Sequence, residues 1–396
     1  MLREIARESP PAEQFEFIGY VKIEGEDTWI HDTPPQGNVR DVLEAHGVDV
    51  EDPDQGVDLP KELRDTDAGR GLMLSADGRL FLEREDAFLE RVRALASMPE
   101  AATYGSLEEG TPGEDEVAPR SAFFAPQESR SGIHGSDQRI PITTSGYPYR
   151  AVGQQVFRKT GGGSVWTTAV NWGRSGSSGS IGPRAVLTAA HVIANTQGDI
   201  TVSAVGPAAR GYSWNGDADP GPWTSNSKFP HGVRRVTWYA WPLGSFDGGM
   251  KYDYAVLTLA DEARSPGWVR FGYQGTSWLD FKQGWNHYAY PGPTRDCANA
   301  FDSDGDCGGY MYHIFGETRG AYTNYVEHWL DSQPGHSGAP IYISKNGDRV
   351  IYLVHVKSCD DPRDCGAGKR LRSGSVSSIC NWLEAWPSSF FSNVSC

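Results

Sequence analysis

The chain has 396 residues, with 36 lysines and arginines against 51 aspartates and glutamates, so its formal net charge is −15. This length allows two or three domains. The acidic balance argues against a nucleic-acid partner, and the lack of an apolar stretch of membrane-spanning length argues against a membrane protein.

The acidity is concentrated at one end of the chain. Residues 1–130 carry 13 basic and 30 acidic side chains, whereas residues 131–396 hold all six cysteines and twelve of the thirteen tryptophans. This break in composition predicts two units with different roles. We expect an acidic propeptide or accessory region with a linker at 1–130, and a second domain at 131–396.

The first unit contains a few predicted elements and much loop. Residues 13–30 alternate in polarity and predict a β-hairpin, and residues 85–97 show the spacing of an amphipathic helix. Residues 49–70 and 105–130 are rich in Asp, Glu, Pro and Gly, which is typical of loops and linkers. The first unit is therefore predicted to be a small α+β region.

From residue 140 onward the pattern changes to short apolar runs broken by Gly, Pro, Ser and Asn. The runs are AVGQQVF (151–157), RAVLTAA (184–190), DITVSAV (199–205), RRVTWYAW (234–241), YAVLTLA (254–260), APIYI (339–343) and RVIYLVHV (349–356). Many short strands of this kind predict an all-β domain, a barrel or a sandwich. The last apolar positions have helical spacing and end before Pro387, which predicts a C-terminal helix.

The six cysteines are predicted to form structural disulfides. Pairing by proximity gives Cys297–Cys307, Cys359–Cys365 and Cys380–Cys396. Six cysteines allow fifteen pairings, so this connectivity is a hypothesis, and the absence of CxxC spacing disfavours zinc. Disulfides favour a secreted, extracellular protein, although the N-terminus MLREIARESPPAEQF contains no visible signal peptide.

One stretch, DSQPGHSGAP (331–340), places Ser337 among small residues, where its hydroxyl has no apolar packing role. A serine becomes a nucleophile only beside a base, a group that orients the base, and donors for an oxyanion. His191, which follows an apolar strand and two alanines, is the candidate base. Asp253, which precedes the strand YAVLTLA, is the candidate orienting carboxylate. The order His, Asp, Ser is one of the known orders of a catalytic triad.

With these residues the chain resembles the trypsin-fold serine proteases, and among them the bacterial glutamyl endopeptidases, from about 132 to 390. The resemblance rests on VLTAAH ending at His191, on YDYAVLTL (252–259), on DSQPGHSGAP, and on GSDQRIPITTSGYPYRAVG (135–153). It implies two antiparallel β-barrels, at about 140–255 and 256–375, and a terminal helix at about 376–387. It further implies a serine endopeptidase that acts on protein or peptide substrates, with the backbone N–H groups of Gly335 and Ser337 as its oxyanion hole.

The chain also departs from this family. No cysteine lies before residue 297, and His336 stands before Ser337 where the digestive enzymes have an Asp that pairs with the freed N-terminus. Activation must therefore differ. Asp302, Asp304 and Asp306 resemble a calcium loop, but the pattern is incomplete and solvated turn acids are favoured. We expect no metal, no cofactor and a monomer.

The resemblance implies that residues 1–130 are the enzyme's own propeptide, cleaved within QESRSGIHG (127–135) after Glu128 or Arg130. An exposed acidic linker would be open to such a cut. The alternative is a permanent accessory domain.

Two sets of residues compete for the specificity of cleavage. In the glutamyl endopeptidases, residues at the places of Ser332, His355 and Ser358 line the pocket for a substrate carboxylate, which predicts cleavage after Glu or Asp. Asp331 occupies the place that binds Arg or Lys in trypsin-type pockets. A histidine would sit badly beside a bound cation, so acidic specificity is favoured.

Functions outside proteolysis find less support in the sequence. A catalytically silent homologue that binds partners would have lost a triad member, and none is lost. An α/β-hydrolase needs G-x-S-x-G with the acid and histidine after the serine, whereas both precede Ser337 here. A metalloprotease would need H-E-x-x-H, which the chain lacks.

Overall fold

In the computed structural model, the part of the chain that is described consists of residues 8–23, 30–50, 66–104, 139–142, 147–158, 166–167, 177–195, 197–200, 204–209, 230–247, 249–260, 267–280, 284–291, 310–332, 335–345, 348–358, 365–386 and 396. Within these ranges, no helix combines the length and the apolar character needed to cross a membrane.

The N-terminal region forms two helices and four strands. They are β1 (Phe15–Tyr20), α1 (Val39–Ala45), β2 (Gly71–Ser75), β3 (Arg79–Glu83), α2 (Glu85–Ala94) and β4 (Ala102–Tyr104). A 3₁₀ turn at Leu95–Ser97 extends α2, so the helix predicted over 85–97 is confirmed, with Phe88 and Val92 facing inward. Gly78, at φ +92°, makes the tight turn that joins β2 to β3.

The hairpin predicted over 13–30 lies partly outside the described residues, since residues 24–29 are not among them. Its first part forms β1, as the alternation predicted. β1 pairs antiparallel with β3, from Phe15 opposite Glu83 to Tyr20 opposite Arg79, so this partner comes from a distant part of the chain.

Six strands close the first barrel, which contains His191 and Asp253. They are β6 (Val152–Arg158), β8 (Ser177–Ser180), β9 (Ala185–Thr188), β10 (Ala204–Pro207), β11 (Arg234–Pro242) and β12 (Ala255–Leu259). The ring runs β6-β8-β9-β12-β11-β10 and returns to β6, and the short β7 (Trp166–Thr167) pairs with β6. Since β12 belongs to this ring, the first barrel extends to residue 259.

The second sheet is a half-barrel, and it contains Ser337 and His355. Its strands are β5 (Ile140–Pro141), β13 (Arg270–Tyr273), β14 (Trp285–Ala289), β15 (Tyr312–Gly316), β16 (Thr318–Ala321), β17 (Tyr325–His328), β18 (Pro340–Lys345), β19 (Asp348–Ser358) and β20 (Gly366–Arg370). The row runs β16-β17-β20-β19-β18-β14-β15-β5. Only Glu317 separates β15 from β16, so the row curves back towards its own start.

The remaining helices are short, except for the last one. They are α3 (Ala190–Ile193), α4 (Thr276–Asp280), α5 (Ser373–Ala385) and 3₁₀ turns at Tyr149–Ala151 and Leu243–Asp247. The predicted C-terminal helix is thus present as α5. It begins three residues earlier than predicted because the Ser375 hydroxyl accepts the backbone N–H of Arg372 at 2.8 Å and caps the first turn.

Three apolar clusters hold the described residues together. The largest fills the closed barrel, includes side chains of β2, β3 and α5, and reaches part of the half-barrel; the second lies within the half-barrel, and the third packs beneath α2. The fold is therefore all-β with a C-terminal helix, as predicted, and the second barrel is open rather than closed. The turn that carries Ser337 and the helix that carries His191 lie where the two units meet.

Candidate active site

His191 and Asp253 form a directly hydrogen-bonded pair. The strand β9 ends in buried Ala189 and Ala190, and His191 follows in the first turn of α3. The Nδ1 atom of His191 lies 2.7 Å from Oδ2 of Asp253, and the backbone N–H of His191 donates to Oδ1 at 3.0 Å. The Asp253 side chain is almost fully buried, whereas the His191 side chain is 41% exposed. The imidazole is therefore fixed by Asp253 at Nδ1, while part of the ring remains accessible to solvent.

The contact between His191 and Asp253 shifts the pKa of each group so that its charged form is favoured. Burial lowers the pKa of His191, but the charge of Asp253 and the hydrogen bond to it outweigh burial and raise that pKa above 6.5. Burial raises the pKa of Asp253, but the charge of His191 and the hydrogen bonds from His191 and Ala190 outweigh burial and lower that pKa below 3.8. Asp253 is thus ionised at neutral pH and stabilises a protonated His191.

The turn that carries Ser337 packs against the strand that leads to His191. The backbone N–H of Ser177 donates to the Ser337 carbonyl at 2.7 Å, and the Ser177 hydroxyl donates to the Gly335 carbonyl at 3.0 Å. A Cβ on Gly338 would overlap the hydroxyl of Thr188 and the backbone of Ser177. This close approach requires glycine and brings the Ser337 turn beside the residues before His191.

The Ser337 hydroxyl itself donates to the carbonyl of Val356 at 3.1 Å. Of the three predicted triad members, the structure thus joins His191 to Asp253 by hydrogen bonds and positions Ser337 on the neighbouring turn, with its hydroxyl directed to β19.

The predicted oxyanion donors lie in a turn with left-handed backbone. Gly335 has φ +104° and Gly338 has φ +83°, which explains why glycine occupies both positions. Within the described residues, the backbone N–H groups of Gly335 and Ser337 donate no hydrogen bond. Two N–H groups two residues apart around a nucleophile are the arrangement that an oxyanion hole needs.

The predicted pocket residues lie in the half-barrel behind Ser337. Asp331 and Ser332 are buried, with the Ser332 hydroxyl lacking a hydrogen-bond partner among the described residues. His355 is 2% exposed in β19, where it faces Gly368 of β20, and the half-buried Ser358 faces Gly366. Burial lowers the pKa of His355, and the charges of His287 and His191 lower it further.

Sequence reasoning missed a cluster of four buried histidines that surrounds His355. The cluster consists of His287, His328, His336 and His355. Nδ1 of His355 lies 3.3 Å from Nε2 of His328, and Nε2 of His287 lies 3.3 Å from Nδ1 of His336. The rings of His287 and His355, with centroids 5.3 Å apart, join the two pairs.

All four histidines are neutral at neutral pH. Burial lowers the pKa of His287 to about 3, and it lowers the other three well below 6.5, with further repulsion among the members. The buried guanidinium of Arg139 adds to the lowering for His336. The signal for this cluster was inward-facing histidines on β14 and β17, but only the strand pairing reveals that they meet.

The structure contains a disulfide between Cys380 in α5 and Cys396, and Cys365 is also disulfide-bonded. Cys297, Cys307 and Cys359 lie outside the described residues, as do Asp302, Asp304 and Asp306. Among the residues that are described, no group of three or more His, Cys, Asp or Glu side chains could hold a metal ion.

Comparisons with known proteins identify a similar protease. The chain is 24% identical over 271 residues to a glutamyl endopeptidase of Bacillus licheniformis, a match that covers 66% of this chain and 72% of that protein. No family model matches the chain.

Two solved structures are also similar to the chain. A Glu endopeptidase in complex with MPD aligns with a TM-score of 0.47 and 19% identity, covering 64% of this chain and 99% of that one. A thermostable serine protease from an extremophilic microorganism aligns with a TM-score of 0.40 and 15% identity, covering 59% of this chain and 96% of that one. The chain is thus similar in sequence to a glutamyl endopeptidase, and this likeness supports a serine endopeptidase.

Proposed function

We propose that residues 131–396 form a protease domain in which Ser337, His191 and Asp253 are the catalytic triad. The observation that carries the proposal is the pair of hydrogen bonds that the Asp253 carboxylate accepts from His191, next to the glycine-rich turn of Ser337. A carboxylate that fixes one tautomer of a half-exposed imidazole prepares that imidazole to take a proton from a nearby hydroxyl.

In the first half of the reaction, Ser337 is acylated. The Ser337 hydroxyl first breaks its hydrogen bond to the carbonyl of Val356 and turns towards Nε2 of His191. Oγ then attacks the peptide carbonyl carbon while the hydroxyl proton is transferred to Nε2. The backbone N–H groups of Gly335 and Ser337 donate to the resulting oxyanion. His191 then passes the proton to the leaving amine, the C–N bond breaks and an ester to Ser337 remains.

In the second half, water releases the acyl group. His191 takes a proton from water as the oxygen attacks the ester carbonyl, and it returns that proton to Oγ of Ser337 when the C–O bond breaks. The products are a new carboxylate and free enzyme, and Asp253 stays ionised throughout because its pKa lies below 3.8.

We further propose that the pocket selects Glu, and Asp less well, before the scissile bond. His355, Ser332 and Ser358 offer an imidazole and two hydroxyls to a carboxylate, and the Ser332 hydroxyl is buried without a partner among the described residues. The buried Arg139 places positive charge near the histidine cluster, which favours an anion over a cation. The relative from Bacillus is itself named a glutamyl endopeptidase.

Cleavage after Arg or Lys is the second candidate, since Asp331 is a buried acid six residues before Ser337. We also propose export to an oxidising compartment, supported by the Cys380–Cys396 disulfide, and a cut of the precursor within residues 127–135, after Glu128 or Arg130.

The test is to digest an unfolded protein mixture with the enzyme and to identify the cut sites by mass spectrometry, using Ser337→Ala as the blank. Cuts after Glu would support the whole proposal. Cuts after Arg or Lys would support the triad and assign the pocket to Asp331. If no cuts exceeded the blank under any activating condition, the chain would be a silent homologue and the proposed function would be wrong.

A further inference from the structure

The N-terminal region, residues 8–104, is built into the sheets of the protease domain. β2 pairs antiparallel with β11 of the closed barrel over five residues, from Ser75 opposite Trp238 to Gly71 opposite Pro242. β4 pairs with β13, which itself pairs with β19 of the half-barrel. The N-terminal region therefore adds strands to both units at once, and its removal would expose two sheet edges.

A fully buried ion pair joins the N-terminal region to the half-barrel. Nζ of Lys369, in β20, lies 2.6 Å from Oδ2 of Asp67, and both side chains are at most 1% exposed. The cations Arg370 and Arg372 both lower the pKa of Lys369, and Asp67 is the carboxylate that opposes them. Without Asp67, a buried ammonium would stand between two guanidinium groups with no counter-charge, which is costly in a low-dielectric interior.

The C-terminal helix is tied to the N-terminal region as well. Oδ1 of Asp67 accepts the backbone N–H of Ser375 in the first turn of α5 at 3.0 Å. Further along α5, the Ser378 hydroxyl accepts a hydrogen bond from Arg91 at 2.9 Å, and Arg91 is paired with Glu83 at 2.8 Å. These groups are buried, and the hydrogen bonds from Ser375 to Asp67 and from Arg91 to Ser378 link the two segments.

This attachment lies directly behind the proposed catalytic carboxylate. The hydroxyl of Tyr254, the residue after Asp253, donates to the carbonyl of Asp67 at 3.0 Å, and the ring of Tyr254 stacks on Trp382 of α5 with centroids 5.7 Å apart. On the opposite side, His191 remains 41% exposed while the N-terminal region is docked. The described part of the N-terminal region thus supports the site without closing it.

We propose that the N-terminal region stays bound as a non-covalent second chain after the precursor is cut between residues 105 and 135, and that it supports Asp253 through Asp67 and Tyr254. In this arrangement the mature protein is a complex of two fragments of one chain. The surface of residues 139–396 formed by β11, β13, Lys369 and α5 is the docking site, and residues 8–104 are its occupant.

The test begins with the full-length Ser337→Ala chain carrying a specific cleavage sequence inserted between residues 105 and 135. After cutting, native size-exclusion chromatography with mass spectrometry should show both fragments in one peak at a ratio of 1:1. Elution of the N-terminal fragment on its own would overturn the proposal. Because this measurement follows association and uses no substrate, its result is independent of the proposed function.

A matched pair of variants locates the contact. In the cut protein, Asp67→Asn should weaken fragment association at least tenfold, because it leaves Lys369 without its carboxylate. Asp32→Asn, which removes an exposed carboxylate from the same region, should leave association unchanged. Equal association in both variants would remove Asp67 from the docking site.

A last measurement tests whether residues 8–104 support or inhibit the activity, and this measurement rests on the proposed function. The cut enzyme with Ser337 intact should keep its activity while the fragments stay together, and lose it when mild urea and chromatography separate them. The acid-side pKa of the kcat/KM profile should fall in Asp67→Asn relative to Asp32→Asn, because a loosened Asp253 stabilises protonated His191 less. A rise in activity on removal of residues 8–104 would show an inhibitor and overturn the proposal.

Discussion

Asp253 holds His191 at two points, with Oδ2 2.7 Å from the ring nitrogen Nδ1 and Oδ1 accepting the backbone N–H at 3.0 Å. One carboxylate thereby fixes both the position of the main chain and the orientation of the ring. Because Nδ1 is hydrogen-bonded to Asp253, Nε2 is the nitrogen that exchanges a proton with Ser337 in the proposed mechanism. Three of the predictions below depend on this geometry and on the pocket beside it.

Ser337→Ala should abolish turnover while leaving the fold intact. Loss of the nucleophile in a triad costs about 10⁶-fold in kcat. The hydroxyl makes one hydrogen bond, to the carbonyl of Val356, so the free energy of unfolding should change by only about 1 kcal/mol. Peptide hydrolysis and urea unfolding measure the two effects.

The matched control is Ser344→Ala, on an exposed position of β18. It should retain full activity. Equal turnover in the two alanine variants would remove Ser337 from the proposed triad.

The pH dependence of kcat/KM should reflect the raised pKa of His191. The base must be unprotonated, so activity should fall as the pH drops through a value above 6.5. Asp253→Asn removes the attraction that raises this pKa, so the acid-side midpoint should move to lower pH while kcat falls by about 10⁴-fold. An unchanged midpoint in Asp253→Asn would show that another group controls the profile.

His355→Gln should reduce the preference for Glu over Gln in matched peptide substrates. A charge-assisted hydrogen bond contributes about 1.5–3 kcal/mol, so the ratio of kcat/KM values should fall by about 10- to 100-fold. His313→Gln is the control, since His313 is also buried in the half-barrel but bonds to Asn286 outside the four-histidine cluster.

The reciprocal test uses Asp331. If Asp331→Asn removed cleavage and His355→Gln left the Glu preference intact, the acidic pocket would be wrong and Asp331 would bind a cationic side chain. Peptides that differ only in Glu, Gln or Arg before the scissile bond distinguish the two outcomes.

Individual strands and helices could be predicted because each depends on residues that are close together in the sequence. The apolar run before His191 specifies β9, the one after Asp253 specifies β12, and the helical spacing of Ile379, Trp382 and Leu383 specifies α5. Each of these depends on residues within a few positions of one another. The same holds for Gly335 and Gly338, whose positive φ angles follow from a turn that approaches neighbouring backbone.

The rest could not be predicted because strand partners are not encoded in local alternation. β2 pairs with β11 more than 150 residues away, and β1 pairs with β3, a strand outside the stretch 13–30. The histidine cluster has the same origin, since His287 and His355 meet only through the order of the half-barrel strands. Similarly, Asp67 falls in a stretch predicted to be loop, and its burial depends on Lys369 in a remote strand.

Removal of the Cys380–Cys396 disulfide should lower the stability of the C-terminal helix. The bond closes a loop with a sequence separation of 16, for which loop entropy gives about 3 kcal/mol. The double variant Cys380→Ser, Cys396→Ser, made in the Ser337→Ala background to prevent autolysis, should show a lower urea midpoint than Ser337→Ala alone. Identical midpoints would mean that the bond does not contribute to global stability.

Asp67→Asn should be the most destabilising single change outside the apolar cores. It leaves the buried ammonium of Lys369 unpaired beside Arg370 and Arg372, and breaking a buried pair in this way costs about 3–5 kcal/mol. The double variant Asp67→Asn, Lys369→Met removes both charges and should recover most of that loss, because an apolar side chain needs no counter-charge.

The pH dependence provides a second check on this pair. Burial raises the pKa of Asp67, but the charge of Lys369 and the hydrogen bonds from Lys369 and Ser375 lower it below 3.8 overall. A lowered pKa stabilises the fold above 3.8, and this stabilisation is lost as the pH falls through the value in the folded protein. We therefore compare the free energy of unfolding of Ser337→Ala with that of the double variant Ser337→Ala, Asp67→Asn, by urea titration at each pH. The difference should be constant from pH 5 to 7 and should shrink below pH 3.8. A difference that stayed constant at low pH would show that Asp67 acts through packing and not through its charge.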